Sequence, residues 1–370
     1  MKLPSMNSRR LGLVFFCASL AQAAAFEWEL HRFEGRDYVT LDGIAQFYSL
    51  PAPPPIEPQP FLGPPAFGSS SEALGVAPPN PTIALHSGES QLEVTLKSAE
   101  VLINGVKQWL AFPVRVEGTK ALISRLDLGK VLEPRLRPEK ITGLGRVETV
   151  VLDPGHGGHD RGAVSRYGFE KDFALDVALA ARALLEAQRY KVVMTRSSDI
   201  FVPLDERAAI ANRIPNSIFV SVHFNQSNTN ANAQGFEIFS IAPRGAPSTN
   251  GPAYSERDLR EEPGNVVDLP STVLAGSVYH SLLGHLPLLD RGLKHARFAV
   301  LRRATVPAVL IECGFVSNSG EIALIGSSAW RRKVAEAIVE GVDNYKGLAE
   351  RGERPKVVAD YRRTPLEIPQ

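Results

Sequence analysis

Cysteine is nearly missing from this chain: 370 residues hold only two, Cys17 and Cys313. A disulfide framework is therefore excluded, and a hydrophobic core or a metal must hold the fold. An excess of charge is missing as well, with 41 Lys+Arg against 40 Asp+Glu and a net charge of +1. No long basic stripe compensates, so nothing in the charge points to a nucleic-acid partner. No apolar run reaches the roughly 20 residues of a membrane-spanning helix, which argues against stable membrane insertion. What is present is an ordinary globular composition, 44% hydrophobic and 22% charged. At roughly 150 residues per domain, the length suggests about two domains.

Lys2, Arg9 and Arg10 precede an apolar run from Leu11 to Ala21, followed by the small-residue triplet Ala21-Gln22-Ala23. This order predicts a signal peptide over residues 1–23 and an exported protein, with a periplasm as the best-fitting compartment. Its removal takes away Cys17 and leaves Cys313 alone. Residues 24–135 read as a small, mainly β (α+β) domain. Tyr38 to Leu41 predicts a strand, and Asn104-Gly105 between apolar runs predicts a hairpin turn. Residues 51–81 interrupt this domain with eleven of the 28 prolines, a composition that builds neither ladder nor helix. Pro138, Gly143 and Gly145 mark a linker over 136–147.

From residue 148 to 346 the pattern becomes strand–helix alternation. Strands are expected at Thr149–Leu152, Tyr190–Met194, Ser217–Val222, Gly235–Ile241 and Ala308–Ile311. Helices are expected over Lys171–Gln188, Leu204–Arg213, Thr272–Leu286 and Ser328–Tyr345. The fold class is α/β: a layered domain with a mostly parallel central sheet flanked by helices. A charged tail, 347–370, reads as loose.

Three of these strands run into a chemically able residue: His156, His223 and Glu312. Ligand sites of open α/β sheets form at the carboxyl ends of strands, so the coincidence is informative. Glu170 opens the first helix, only 14 residues after His156, and can reach the same place. Two imidazoles and a carboxylate form a His2Glu set for zinc with one coordination position left open. A further carboxylate must then move the proton in amide hydrolysis, and Glu312, at the end of the very apolar Ala308–Ile311, fits that task. A phosphate cradle is the rival for Gly155-His156-Gly157-Gly158, but the Rossmann and P-loop spacings are missing. His159 reads as an exposed loop residue, and His280, His285 and His295 as structural. Cys313 has no Cys/His nucleophile signature around it.

These residues sit in ordered motifs: Val151-Leu152-Asp153-Pro154-Gly155-His156-Gly157-Gly158, Thr195-Arg196-Ser197-Ser198-Asp199, Ser221-Val222-His223-Phe224-Asn225, Arg291-Gly292-Leu293-Lys294 and Pro307 to Phe315. Over 149–345 the chain closely resembles the zinc-dependent N-acetylmuramoyl-L-alanine amidases of the third amidase family. The resemblance implies one catalytic Zn2+, peptidoglycan as substrate, and cleavage between N-acetylmuramic acid and L-alanine. It implies His156, Glu170 and His223 as zinc ligands, Glu312 as the catalytic glutamate and Asn225 as a substrate contact. A zinc peptidase cutting within the stem peptide, or a non-catalytic wall-binding protein, are the alternative readings. Some members carry a long helix that blocks the zinc until an activator protein removes it. Here Ala242–Pro270 holds too many prolines for that, leaving only Ser255–Glu262 as a short helix and Glu256, Glu261 or Glu262 as gating groups. Gly35–Leu50 and Ile83–Leu132 resemble the copper amine oxidase N-terminal-like domain, without any cluster of copper ligands.

Overall fold

The structure is a computed structural model that describes residues 26–56, 80–88, 90–249 and 251–354. The expected signal peptide, most of the proline-rich stretch and the end of the tail lie outside the described residues. In the N-terminal part the strands are β1 (Leu30–Phe33), β2 (Arg36–Thr40), β3 (Thr82–Ser87), β4 (Ser90–Thr95), β5 (Glu100–Ile103), β6 (Val106–Trp109), β7 (Arg115–Glu117) and β8 (Lys120–Ser124). The short helices α1 (Leu41–Phe47), α2 (Arg125–Asp127) and α3 (Glu133–Leu136) accompany them. Thr40 caps α1 by accepting from Gly43 N, and Asn104 and Gly105, both at positive φ, make the expected β5–β6 turn.

The C-terminal part contains β9 (Thr149–Pro154), a small hairpin of β10 (Val164–Ser165) and β11 (Gly168–Phe169), and α4 (Glu170–Ala187). Next come β12 (Lys191–Met194), α5 (Leu204–Asn212), β13 (Ser217–Asn225), β14 (Phe236–Ile241) and α6 (Asp268–His285). The chain closes with β15 (Asp290–Ala296), α7 (Ala299–Arg303), β16 (Ala308–Phe315), α8 (Ser319–Ile325) and α9 (Ser328–Arg351). This is the expected α/β architecture. Strands β12, β9, β13 and β16 are parallel neighbours. Strand β14 turns antiparallel to β16 and β15 runs parallel to β14, so the sheet is mixed.

Each central strand feeds both faces, which is why these strands read as continuous apolar runs. Val150, Leu152, Ile218, Val220 and Val222 pack with α4, α6 and α9 on one face. Val151, Phe219, Phe239 and Leu310 pack with α5 and α7 on the other. Helices α5 and α7 are short, and the second face is left open above the strand ends.

Two boundaries differ from the sequence reading. The 10-stranded sheet runs β12-β9-β13-β16-β14-β15-β6-β5-β4-β3, so β6 joins β15 in parallel and the N-terminal strands extend the central sheet. Residues 136–147 are accordingly no free tether. Leu144 and Val147 are buried, the Tyr345 hydroxyl donates to the Leu144 carbonyl at 2.8 Å, and Val147 N donates to Glu350 at 3.0 Å. Helix α9 also continues to Arg351, past the expected start of the tail, because Leu348 still reaches the core and Gly352 ends it in a left-handed cap.

Candidate active site

His156, Glu170 and His223 converge at the carboxyl end of the sheet. One ligand atom from each lies within 4.8 Å of the others, the only such group of three among the described residues. His156 follows β9, His223 lies near the end of β13, and Glu170 is the first residue of α4, where the helix dipole favours an anion. Glu170 Oε1 sits 3.1 Å from both His156 Nε2 and His223 Nδ1, and accepts from Phe224 N at 3.0 Å. Its other oxygen accepts from Ala163 N at 2.8 Å. Burial pushes this carboxyl up, but the two imidazoles outweigh burial and hold it well below the usual carboxylate range.

The backbone around the cluster is unusual. His156 adopts φ +60°, a conformation L side chains rarely hold. The Arg207 guanidinium fixes it, donating to the His156 carbonyl at 2.6 Å and to Pro154 O at 2.7 Å. Arg207 is itself paired at 2.8 Å with fully buried Asp153, which also accepts from Thr195 and Ser221. Arg196 donates to Gly155 O and Lys171 O, both at 2.7 Å. Gly155 lies so close to the His223 ring that a Cβ would overlap it.

A cleft of about 580 Å³ opens over the cluster, with Phe201, Leu204 and Phe298 on one wall and Asn225 and Gln226 among its polar lining. Glu312 lies in it, directly across from His223 in the β13–β16 register. It is inside β16 rather than at its end, because the strand continues to Phe315. Its Oε2 is buried without a partner, and burial, then the charges of Glu170 and Glu237, push its carboxyl well above the usual range.

Of the residues singled out in the sequence, His156, Glu170, His223, Glu312 and Asn225 all reach this cleft. His159 is exposed and rests on Phe201, while His295 is buried. Cys313 is buried and free, on the strand face opposite Glu312. The gating expectation does not hold among the described residues: none of those in 242–270 lines the cleft. Glu261 and Glu262 lie near Arg244 and Arg302, and Asp258 is bound by Arg297, so the segment is pinned elsewhere. Sequence reasoning missed Asp160, which meets His156 Nδ1 at 2.9 Å. Its spacing of four residues from His156 was the available signal. It also gave no role to Glu237, although a charge inside the expected strand 235–241 was visible, and it predicted no strand at β15, which carries Lys294.

The fold and this constellation define a hydrolase of the α/β class whose cluster suits a metal ion. Residues 150–344 match the family model described as N-acetylmuramoyl-L-alanine amidase, and the chain belongs to that family. It is 34% identical over 252 residues to N-acetylmuramoyl-L-alanine amidase AmiA of Escherichia coli, covering 62% of this chain and 86% of that protein. It is also 34% identical over 222 residues to amidase AmiC of Neisseria meningitidis, covering 54% of this chain and 53% of that one. The chain thus spans most of the first relative and about half of the second. Among solved structures, the amidase of Clostridium difficile 630 is 31% identical, covering 56% of this chain and 100% of that one, with a TM-score of 0.46.

Proposed function

We propose that the chain is a zinc-dependent peptidoglycan amidase that hydrolyses the bond between N-acetylmuramic acid and L-alanine, exported by the leader over 1–23 to act in the periplasm. The observation that carries this reading is the His156–Glu170–His223 cluster beside an unpartnered glutamate in one cleft of an amidase-family fold. The donor set suits zinc: two imidazoles and one carboxylate, with Asp160 holding the far nitrogen of His156. When bound, zinc polarises the carbonyl and lowers the pKa of a water to about 7.

The chain's own residues supply the rest. Glu312 takes the proton of the attacking water as its oxygen joins the lactyl carbonyl carbon. When the C–N bond breaks, the same carboxyl delivers the proton to the leaving nitrogen, and the water's second proton passes from the new lactyl carboxyl to the L-alanine amine, giving a carboxylate and a free ammonium. Phe201, Leu204 and Phe298 narrow the cleft and limit water, and Asn225 contacts the substrate.

Mass spectrometry of purified peptidoglycan digested with and without chelator tests the reading. Chelator-sensitive release of whole stem peptides with a free L-alanine amine is the expected result. Shorter peptides would move the cut inside the stem and overturn it.

A further inference from the structure

One charged group in the buried sheet has no part in the mechanism above. Glu237 is 1% exposed and stands on β14 directly opposite Glu312. Like charges facing each other across a ladder are destabilising. Two cations offset this one. Lys294, 3% exposed on β15, donates to Glu237 Oε2, and Arg291 Nε donates to the same oxygen at 2.8 Å. With Oε2 occupied, Oε1 is left to accept from Asn225 Nδ2 at 2.8 Å. Sheet order makes this bond unusual. Asn225 is on β13 and Glu237 on β14, so the bond crosses over β16, the strand that carries Glu312.

The bond fixes how Asn225 is turned. Its Oδ1 accepts from Gln226 N at 2.9 Å, and Nδ2 gives one hydrogen to Glu237. Among the described residues no other acceptor is bound to Nδ2, and Asn225 lines the cleft with Glu312 and His223. The second Nδ2 hydrogen is therefore free to bind a ligand. We propose that Glu237, anchored by Lys294 and Arg291, is a positioning residue that aims the Asn225 amide at the carbonyl oxygen of the bond being cut. This rests on the amidase reading and adds to it a hydrogen-bond donor where negative charge develops. A buried ion pair is a stiff mount for such a donor, because the carboxylate cannot turn without stranding two cations.

The test is a double-mutant cycle on the zinc-loaded protein with a disaccharide–peptide substrate, following kcat and KM separately. Asn225→Ala is expected to lower kcat about 10²-fold with little change in KM. Glu237→Gln is expected to fall comparably. Lys294 and Arg291 would claim its one oxygen, turning its NH2 toward Asn225, where two donors face each other. The double variant is expected to be no worse than Asn225→Ala alone, with zinc content and thermal midpoint unchanged from those of Glu237→Gln. If Glu237→Gln fails to fold, Glu237→Leu with Lys294→Met removes the buried charges together and is expected to show the same kcat loss. A folded Glu237 variant with wild-type kcat, or losses that multiply with Asn225→Ala, would overturn the proposal. A zinc-loaded wild type that releases no stem peptide would overturn the amidase reading itself.

Discussion

His156 shows how much a single position can be asked to do. It holds a left-handed backbone, meets Glu170 with one nitrogen and Asp160 with the other, and is locked by Arg207 through its carbonyl. A carboxylate on the far nitrogen fixes the tautomer and makes the ring a better ligand, so Asp160→Asn should weaken zinc binding about 10–100-fold. Competition with a metal indicator reads this directly, and unchanged affinity would show that Asp160 is only a surface partner. Glu312 is expected to separate from the ligands in the same assay. Glu312→Gln should keep zinc and lose roughly 10²–10⁴-fold in kcat, since it removes the proton carrier and leaves the donor set intact.

At the scale of elements, the loop after β9 is shaped by two buried guanidiniums as well as by its own glycines. The Arg207–Asp153 pair is buried on both sides, 2% and 0% exposed, so removing one partner strands the other charge. Arg207→Met should cost about 3–5 kcal/mol in urea unfolding and should abolish zinc binding before the fold is lost. Strand β15 carries a different sensitivity. His295 is buried there, and burial pushes its pKa down from 6.5 to about 4. The folded state therefore holds it neutral while the unfolded chain takes up a proton first. Stability should fall as pH drops from about 6.5 to about 4, by about 3 kcal/mol from this residue. His280, also pushed down to about 4 by burial and then by Arg135, adds to the same slope. Urea midpoints across that range check the sign, and His295→Asn should flatten the slope in part.

For the whole molecule, the continuous sheet matters most. Beyond the β6–β15 pairing, Trp109 Nε1 donates to Arg291 O at 3.1 Å and Lys130 pairs with Asp268 at 2.9 Å. Arg36 is held between the rings of Phe112 and Tyr254, each 4.3 Å away. The segment after β14 is thus a clasp between the two parts rather than a gate. Deleting 255–262 should leave kcat within about twofold while lowering the thermal midpoint, because it removes the Asp258–Arg297 pair. A large gain in activity would restore the gating idea. Removing the chain up to residue 110 should expose the edge of β15 and lower soluble yield, since an unpaired edge invites pairing with another chain. A monomeric truncated protein with an unchanged midpoint would show that the extension adds nothing.

The sequence by itself determined what is local or periodic. Apolar runs marked the buried strands, helical spacing marked α4 and α9, and Asn104-Gly105 marked its hairpin. The chemistry of His156, His223 and Glu312 was legible because each followed an apolar run in the sequence, and that of Glu170 because it opened a helix. Tertiary structure alone decided relations between distant segments. The joining of β6 to β15 sets Gln108 beside Leu293, far away in the chain, and no local pattern encodes such a pairing. The position of 251–262 depends on Tyr254 and Asp258 finding Arg36 and Arg297, more than 200 and nearly 40 residues away in the chain. The Asn225–Glu237 bond needs β16 to lie between two strands that precede it in the chain. Burial and charge pairing set these arrangements together, and both are properties of the folded whole.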